Sequence, residues 1–251
     1  MTTITDRPAT LSKSPHRGSS RSAKAKRRRA VGVPAMLRQH LLLSEPAHDL
    51  WVAGRLLEEL GIPDDKRTRV EIIGGEIVVS PGPLVEHAFI ASDIQDAFSR
   101  RGVLEADFRW RTAQLIDFNL PRIGDGYIPD LVVLSADLFE AAASKHARNL
   151  TADMIGMVVE ITSKATAADD REPGRQRVRP TKWNGYAHEE VEFYLLVDGA
   201  PNKALVTLYT EPNPARGLYL AAQQWAFGDT IVLPEPFGVE ISTENWLPWE
   251  K

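Results

Sequence analysis

From Leu41 onward, runs of apolar residues are punctuated by polar and glycine-rich breaks, and each run has a recognisable period. Ala47–Leu60 places Leu50, Trp51, Leu57 and Leu60 at helical spacing and stops at Gly61, which predicts one helix. Two β-rich runs within Val70–Ser80 flank Gly74-Gly75. Both glycines tolerate positive φ, so a tight hairpin is predicted. Ser80-Pro81-Gly82-Pro83 then breaks the strand and opens a helix running to about Gly102, with Leu84, Ala88, Ala91, Ile94 and Phe98 on one stripe. Ala106–Leu120 reads as one strand or a bent pair, Tyr127–Leu134 as a short strand, and Ala136–His146 as a helix. Met154–Thr162 is almost continuously apolar, as a strand covered on both faces would be. Ser163–Pro180 reads as a polar loop, Thr181–Glu190 as a helix and Glu192–Asp198 as another buried strand. The remainder is strand-like: Ala204–Tyr209, Gly217–Phe227 and short pieces near Ile231 and Val239. Strands interleaved with helices, without internal repeats, predict an α/β domain over residues 41–251.

Charge separates the first 40 residues from this pattern. Residues 1–29 hold nine of the 30 Lys and Arg but one of the 34 Asp and Glu. That segment is therefore +8 and the rest of the chain −12. It is also rich in Ser, Thr and Pro and poor in large apolar side chains, so residues 1–40 are expected to be a disordered basic tail. Its functional reading is an electrostatic arm for nucleic acid. The alternatives are a solvated tail, or an upstream extension with Met36 as the start. The chain has 251 residues and no cysteine, which excludes disulfide scaffolds, thiolate metal sites and a cysteine nucleophile. No apolar run is long enough to span a membrane, and Ala30–Met36 is too short for a secretory signal. A cytoplasmic protein is expected.

Chemistry is concentrated at a few positions. Asp130 follows Pro129 at the head of the strand Leu131–Leu134, and Glu160 lies between Val159 and Ile161 in the most apolar strand. A carboxylate inside a buried strand is costly unless a cation or donors compensate it. Two on neighbouring strands could hold one divalent cation; the other readings are a strand-end cap for Asp130 and a structural ion pair for Glu160. Thr162 and Lys164 share the face of Glu160 if the strand continues, and Lys182 begins a helix with Tyr186 one turn on. A lysine near metal-bound carboxylates could position a water or stabilise a phosphorane-like transition state. Trp110 and Trp183 suit core packing or stacking on a base.

These pieces, in this order, resemble the Uma-two family of endonuclease-like proteins within the PD-(D/E)XK nuclease superfamily. The matching stretches are 70–81 with His87 after it, Tyr127–Val133, Val158–Ser163, Asp170-Arg171, Lys182 to Tyr186-Ala187, and Tyr194–Asp198. The resemblance implies a restriction-endonuclease-like mixed β-sheet flanked by helices, and a Mg²⁺ (or Mn²⁺) site for phosphodiester hydrolysis. It maps Asp130, Glu160 and the backbone carbonyl of Ile161 onto the metal ligands, and Lys182 onto the catalytic lysine. Glu71 or Glu76 becomes a possible further ligand, and His87 a group that contacts a phosphate or a carboxylate. Thr162 stands where the superfamily usually has its lysine, and Glu172–Thr181 separates Lys182 from the Asp-Arg pair.

The expected function is therefore a Mg²⁺-dependent endonuclease acting on nucleic acid, DNA in particular, as a homodimer and without a membrane partner. Arg100, Arg101, Arg109, Arg111, Arg122 and the 171–182 loop are candidates for a basic patch on the acidic body. The competing readings are a nuclease-fold module without catalysis that binds nucleic acid or a protein, and an enzyme acting on a small phosphorylated substrate.

Overall fold

The computed structural model describes residues 43–63, 68–82 and 85–250. The expectations for the basic tail, and for Pro83 and Leu84 at the start of the long helix, lie outside these residues. The first apolar segment is not one helix. Helix α1 (Ala47–Val52) ends at a turn through Gly54, whose φ is 68°, and α2 (Leu56–Glu59) follows.

The predicted hairpin is formed by β1 (Thr68–Ile73) and β2 (Glu76–Pro81), with Gly74 and Gly75 both at positive φ. Asp125 fixes its tip by accepting the Gly74 and Gly75 N–H groups at 2.7 and 2.9 Å. Helix α3 (Val85–Leu104) buries Ile90, Ala91, Ile94, Ala97 and Phe98, a stripe rotated slightly from the predicted one, so that Ala88 is exposed.

The next two expected strands are each broken. Ala106–Leu120 becomes β3 (Trp110–Ala113) and β4 (Asp117–Leu120), which join different sheets. Tyr127–Leu134 becomes the end of β5 (Asp125–Tyr127) and β6 (Leu131–Ser135), interrupted around Pro129, which has no N–H to donate. After α4 (Ala136–Ser144), β7 (Asn149–Leu150) and a 3₁₀ turn (Ala152–Met154) comes β8 (Met157–Ile161), buried throughout. The expected loop contains a one-turn helix, α5 (Ala167–Asp170). Helix α6 (Lys182–His188) carries a capping box in which Asn184 Oδ1 accepts the Thr181 N–H at 3.0 Å. The chain then runs through β9 (Phe193–Asp198), β10 (Leu205–Asn213), β11 (Leu218–Ala226), β12 (Thr230–Val232) and β13 (Glu240–Ser242).

The main sheet has the order β11-β10-β9-β8-β6-β3, with β8 and β9 parallel and the other neighbours antiparallel. A second sheet has the order β2-β1-β5-β4-β7, and β12 pairs with β13. The expected α/β architecture, mixed sheet flanked by helices, is present.

Strand alternation sorts the core. Leu131, Val133, Met157, Val159, Leu195 and Val197 pack with α3. Val132, Leu134, Val158, Tyr194 and Leu196 pack on the other side with α6, Ile73 of β1 and Tyr127 of β5. By the same alternation Glu160 and Glu71 face the α6 side, so two carboxylates from different sheets meet under one short helix.

Candidate active site

Asp130 follows the Pro129 break, where the chain leaves β5 and enters the main sheet. Its Oδ1 accepts from Arg69 Nη1 at 2.7 Å, and its Oδ2 accepts the Ile161 N–H at 2.9 Å. His87, at the N-terminal end of the buried stripe of α3, brings Nε2 within 2.7 Å of the same Oδ2, although it is not aligned for a hydrogen bond. Burial alone would raise the carboxyl pKa of Asp130, but His87, Arg69 and Lys182 hold it well below the ordinary value.

Glu160 is 1% exposed. Its Oε1 accepts from Lys182 Nζ at 3.0 Å and from the Tyr186 hydroxyl at 2.5 Å. Burial dominates and pushes its pKa well above the carboxylate range, with Lys182 opposing and Asp130 and Asp170 adding to the rise. Lys182 Nζ also lies 2.8 Å from Glu71 Oε1 and 3.7 Å from Asp170 Oδ1. That carboxylate environment overcomes burial and raises the lysine pKa, which keeps it an ammonium. Glu71 Oε1 accepts in addition the Ile128 N–H at 2.8 Å. Burial raises the Asp170 pKa to about 7.

An aromatic column positions these groups. Tyr186 stacks on Phe118, meets Tyr127 edge-on and packs 4.9 Å from Tyr194, whose hydroxyl donates to the Asp170 carbonyl. Trp183 packs against Tyr209 and Tyr219, and Trp110 packs against Phe237 and donates to the Pro236 carbonyl, so both tryptophans have packing roles. Gly185 lets α6 sit close, because a Cβ there would come within 2.0 Å of the Tyr127 hydroxyl.

The structure thus brings Asp130, Glu160, Lys182, Glu71, His87 and the Ile161 backbone together, Ile161 through its N–H. Two sequence candidates stand apart. Glu76 is exposed at the hairpin tip, 3.5 Å from Arg179. Strand β8 ends at Ile161, so Thr162 turns to Asp198 and Gly199 at 3.4 and 3.2 Å and Lys164 is exposed. Arg69 was not singled out, although it shares the β1 face of Glu71 by period two; Tyr186, one turn after Lys182, and Asp170, in the quoted Asp-Arg pair, were noted without a role at the site.

The candidate basic patch is largely neutralised. Arg101 pairs with Glu105, Arg122 with Glu190, Arg171 with Asp198, and both Arg177 and Arg179 with Asp169. Arg100, Arg109, Arg111 and Arg175 are exposed.

The donors suit a hard divalent cation. Glu71, Asp130, Glu160 and Asp170 are all buried carboxylates. When all four are ionised they exceed the permanent cations Lys182 and Arg69 by two negative charges. A divalent cation would balance that excess through oxygen ligands. Among the described residues no three acidic or histidine side chains form a ready-made coordination group; the Lys182 ammonium stands among the oxygens instead. No helix among them is long and apolar enough to cross a membrane.

Compared with known proteins, residues 56–244 match the family model Uma2, described as "Putative restriction endonuclease". The chain is similar to a solved structure described as a "putative nuclease belonging to DUF820 from Anabaena variabilis ATCC 29413". Identity is 17%, the TM-score is 0.46, and the alignment covers 76% of this chain and 96% of that one. No curated protein matches.

Proposed function

This chain belongs to the Uma2 family, and we propose that it is a Mg²⁺- or Mn²⁺-dependent endonuclease hydrolysing phosphodiester bonds in DNA. The observation that carries the reading is the buried meeting of Asp130, from the residue before β6, Glu160 of β8 and Lys182 of α6. Asp130 and Glu160 would hold the cation, which would supply Lewis acidity toward a water and positive charge against the phosphate.

The chain's own groups supply orientation and charge. Arg69 and the Ile161 N–H fix the Asp130 carboxylate, and Tyr186 fixes Glu160. Lys182 stays protonated, so it acts as a charge that orients the attacking water or contacts the scissile phosphate, and not as a base. His87 lies against Asp130, half-buried on α3; in this reading it contacts a phosphate. The protein works as a cytoplasmic homodimer, so that two sites can address two strands.

The test is cleavage of plasmid and linear DNA, and of RNA, with Mn²⁺ and Mg²⁺, together with a thermal melt. Millimolar metal should raise the melting temperature of the wild type by mass action. Asp130→Asn should abolish both the shift and the cleavage while staying folded. Absence of cleavage of every substrate, with no metal-dependent shift, would replace the enzyme by a binding module of the same fold.

A further inference from the structure

Asp170 is buried more deeply than its hydrogen bonding explains. It ends α5, is 2% exposed, and its carbonyl is fixed by the Tyr194 hydroxyl at 2.8 Å. Its Oδ1 is buried and has no hydrogen-bond partner. The nearest charge is Lys182 Nζ at 3.7 Å, beyond hydrogen-bond range. Such an oxygen carries a desolvation cost with no donor to offset it.

The neighbouring carboxylates are better supplied. Asp130 accepts at both oxygens, Glu160 Oε1 takes two donors, and Glu71 Oε1 takes the Ile128 N–H as well as Lys182. Asp170 alone among the four has a buried oxygen left without a donor, and that oxygen faces the ammonium that Glu160 shares. An oxygen held dry, with free lone pairs and beside another carboxylate, is suited to a hard cation.

We propose that Asp170 is a third carboxylate ligand of the divalent cation, beside Asp130 and Glu160. The inference rests on the metal-dependent reading above. The Lys182 ammonium stands among Glu71, Glu160 and Asp170, at 2.8, 3.0 and 3.7 Å. A divalent ion competes with it for those oxygens. Helix α5 therefore supplies a ligand from the element immediately before the 171–181 segment, and α6 supplies the lysine immediately after it.

The experiment measures Mn²⁺ binding to the full chain, by calorimetry and by the resonance of free Mn²⁺, without any nucleic acid. The proteins are the wild type, Asp170→Asn, Asp170→Ser and, as a control at a surface carboxylate paired with Arg101, Glu105→Gln. Loss of a ligand should raise the Mn²⁺ Kd about tenfold or more in both Asp170 variants, and Glu105→Gln should change it less than about threefold. The melting temperature of the Asp170 variants without added metal should hold or rise, because a buried charged oxygen without a donor, Oδ1, is gone, although the carboxylate also has a hydrogen bond with Thr166. The serine variant gives the same reading should the asparagine variant not fold. Wild-type binding with equal affinity in both Asp170 variants overturns the proposal and leaves the metal-dependent reading standing. A raised Kd accompanied by a matching loss of metal-free stability makes Asp170 structural and also overturns it. No Mn²⁺ binding by the wild type at millimolar metal removes both.

Discussion

The Tyr186 hydroxyl lies 2.5 Å from Oε1 of Glu160, the same oxygen that the Lys182 ammonium reaches at 3.0 Å. Because residues 182 and 186 are one helical turn apart, α6 delivers both donors from one face. A fully buried carboxylate is thereby held by two groups whose relative position is set by helix geometry.

Tyr186→Phe keeps the ring in its aromatic column and removes only the hydroxyl. We expect a stability loss of about 1–3 kcal/mol, the range for leaving a buried polar partner short of a hydrogen bond. DNA cleavage should fall while DNA affinity holds. Chemical denaturation and a kcat against KM comparison check it; unchanged stability would mean that Glu160 does not depend on the phenol.

Lys182→Ala removes the resident cation from the carboxylates. Cleavage should drop by about 10²-fold or more, as for other lost transition-state charges, while Mn²⁺ affinity rises because competition is gone. Lys164→Ala, at an exposed position, should be mild in both assays. A parallel fall in activity and metal affinity for Lys182→Ala would contradict the competition.

Gly185→Ala tests how closely α6 must approach β5. The added Cβ would meet the Tyr127 hydroxyl at 2.0 Å, so the helix or the tyrosine has to move, at about 1–3 kcal/mol for overpacking. Lys182 moves with the helix, and activity should fall more than stability alone explains. Wild-type activity at a reduced melting temperature would show that the lysine tolerates the shift.

A pH effect is expected at Asp198, which accepts from Arg171 and from Thr162 just beyond β8. Burial would raise the Asp198 pKa, but Arg171, the Ala200 N–H and Lys203 hold it below the ordinary 3.8. A depressed folded-state pKa contributes stability above the unfolded value and loses it as pH falls through the folded one. The gap in melting temperature between wild type and Asp198→Asn should therefore be constant from neutral pH to about pH 5 and narrow below about 3.8. A gap that widens on acidification would reverse the sign.

Deleting residues 1–29, with their net charge of +8, should weaken DNA binding and flatten its dependence on salt, since fewer phosphates are neutralised. Equal binding by both forms at 50 and at about 200 mM salt would remove the arm from the mechanism.

Much of this arrangement was legible in the chain. Gly74-Gly75 marked the hairpin, and the continuous apolar run marked β8 with Glu160 inside it, because turn φ and strand burial are local demands. What periodicity could not show was where a run breaks under tertiary demand. Gly54 splits a helix whose apolar spacing looked continuous, and Pro129 splits a strand so that Asp130 can turn toward Arg69 and Ile161. Lys182 was placed by resemblance, whereas its three acidic neighbours come from β1, β8 and α5, a convergence no local pattern encodes. The partners of Asp170 and Arg69 were hidden for the same reason, although the Asp-Arg pair and the period-two spacing from Glu71 were in view.

The segment between Asp170 and Lys182 starts and ends at the same point in space, since the two side chains stand 3.7 Å apart. Arg177 and Arg179 both fasten it to Asp169, and Val178 at its crest is fully open to solvent. A loop whose feet are anchored independently can change length at little cost, about 0.6 kcal/mol for each doubling. The intervening residues are therefore a natural graft site: a peptide tag or a small domain inserted beside Val178 would ride on the molecule while the Asp170 and Lys182 contacts at its base stay in place.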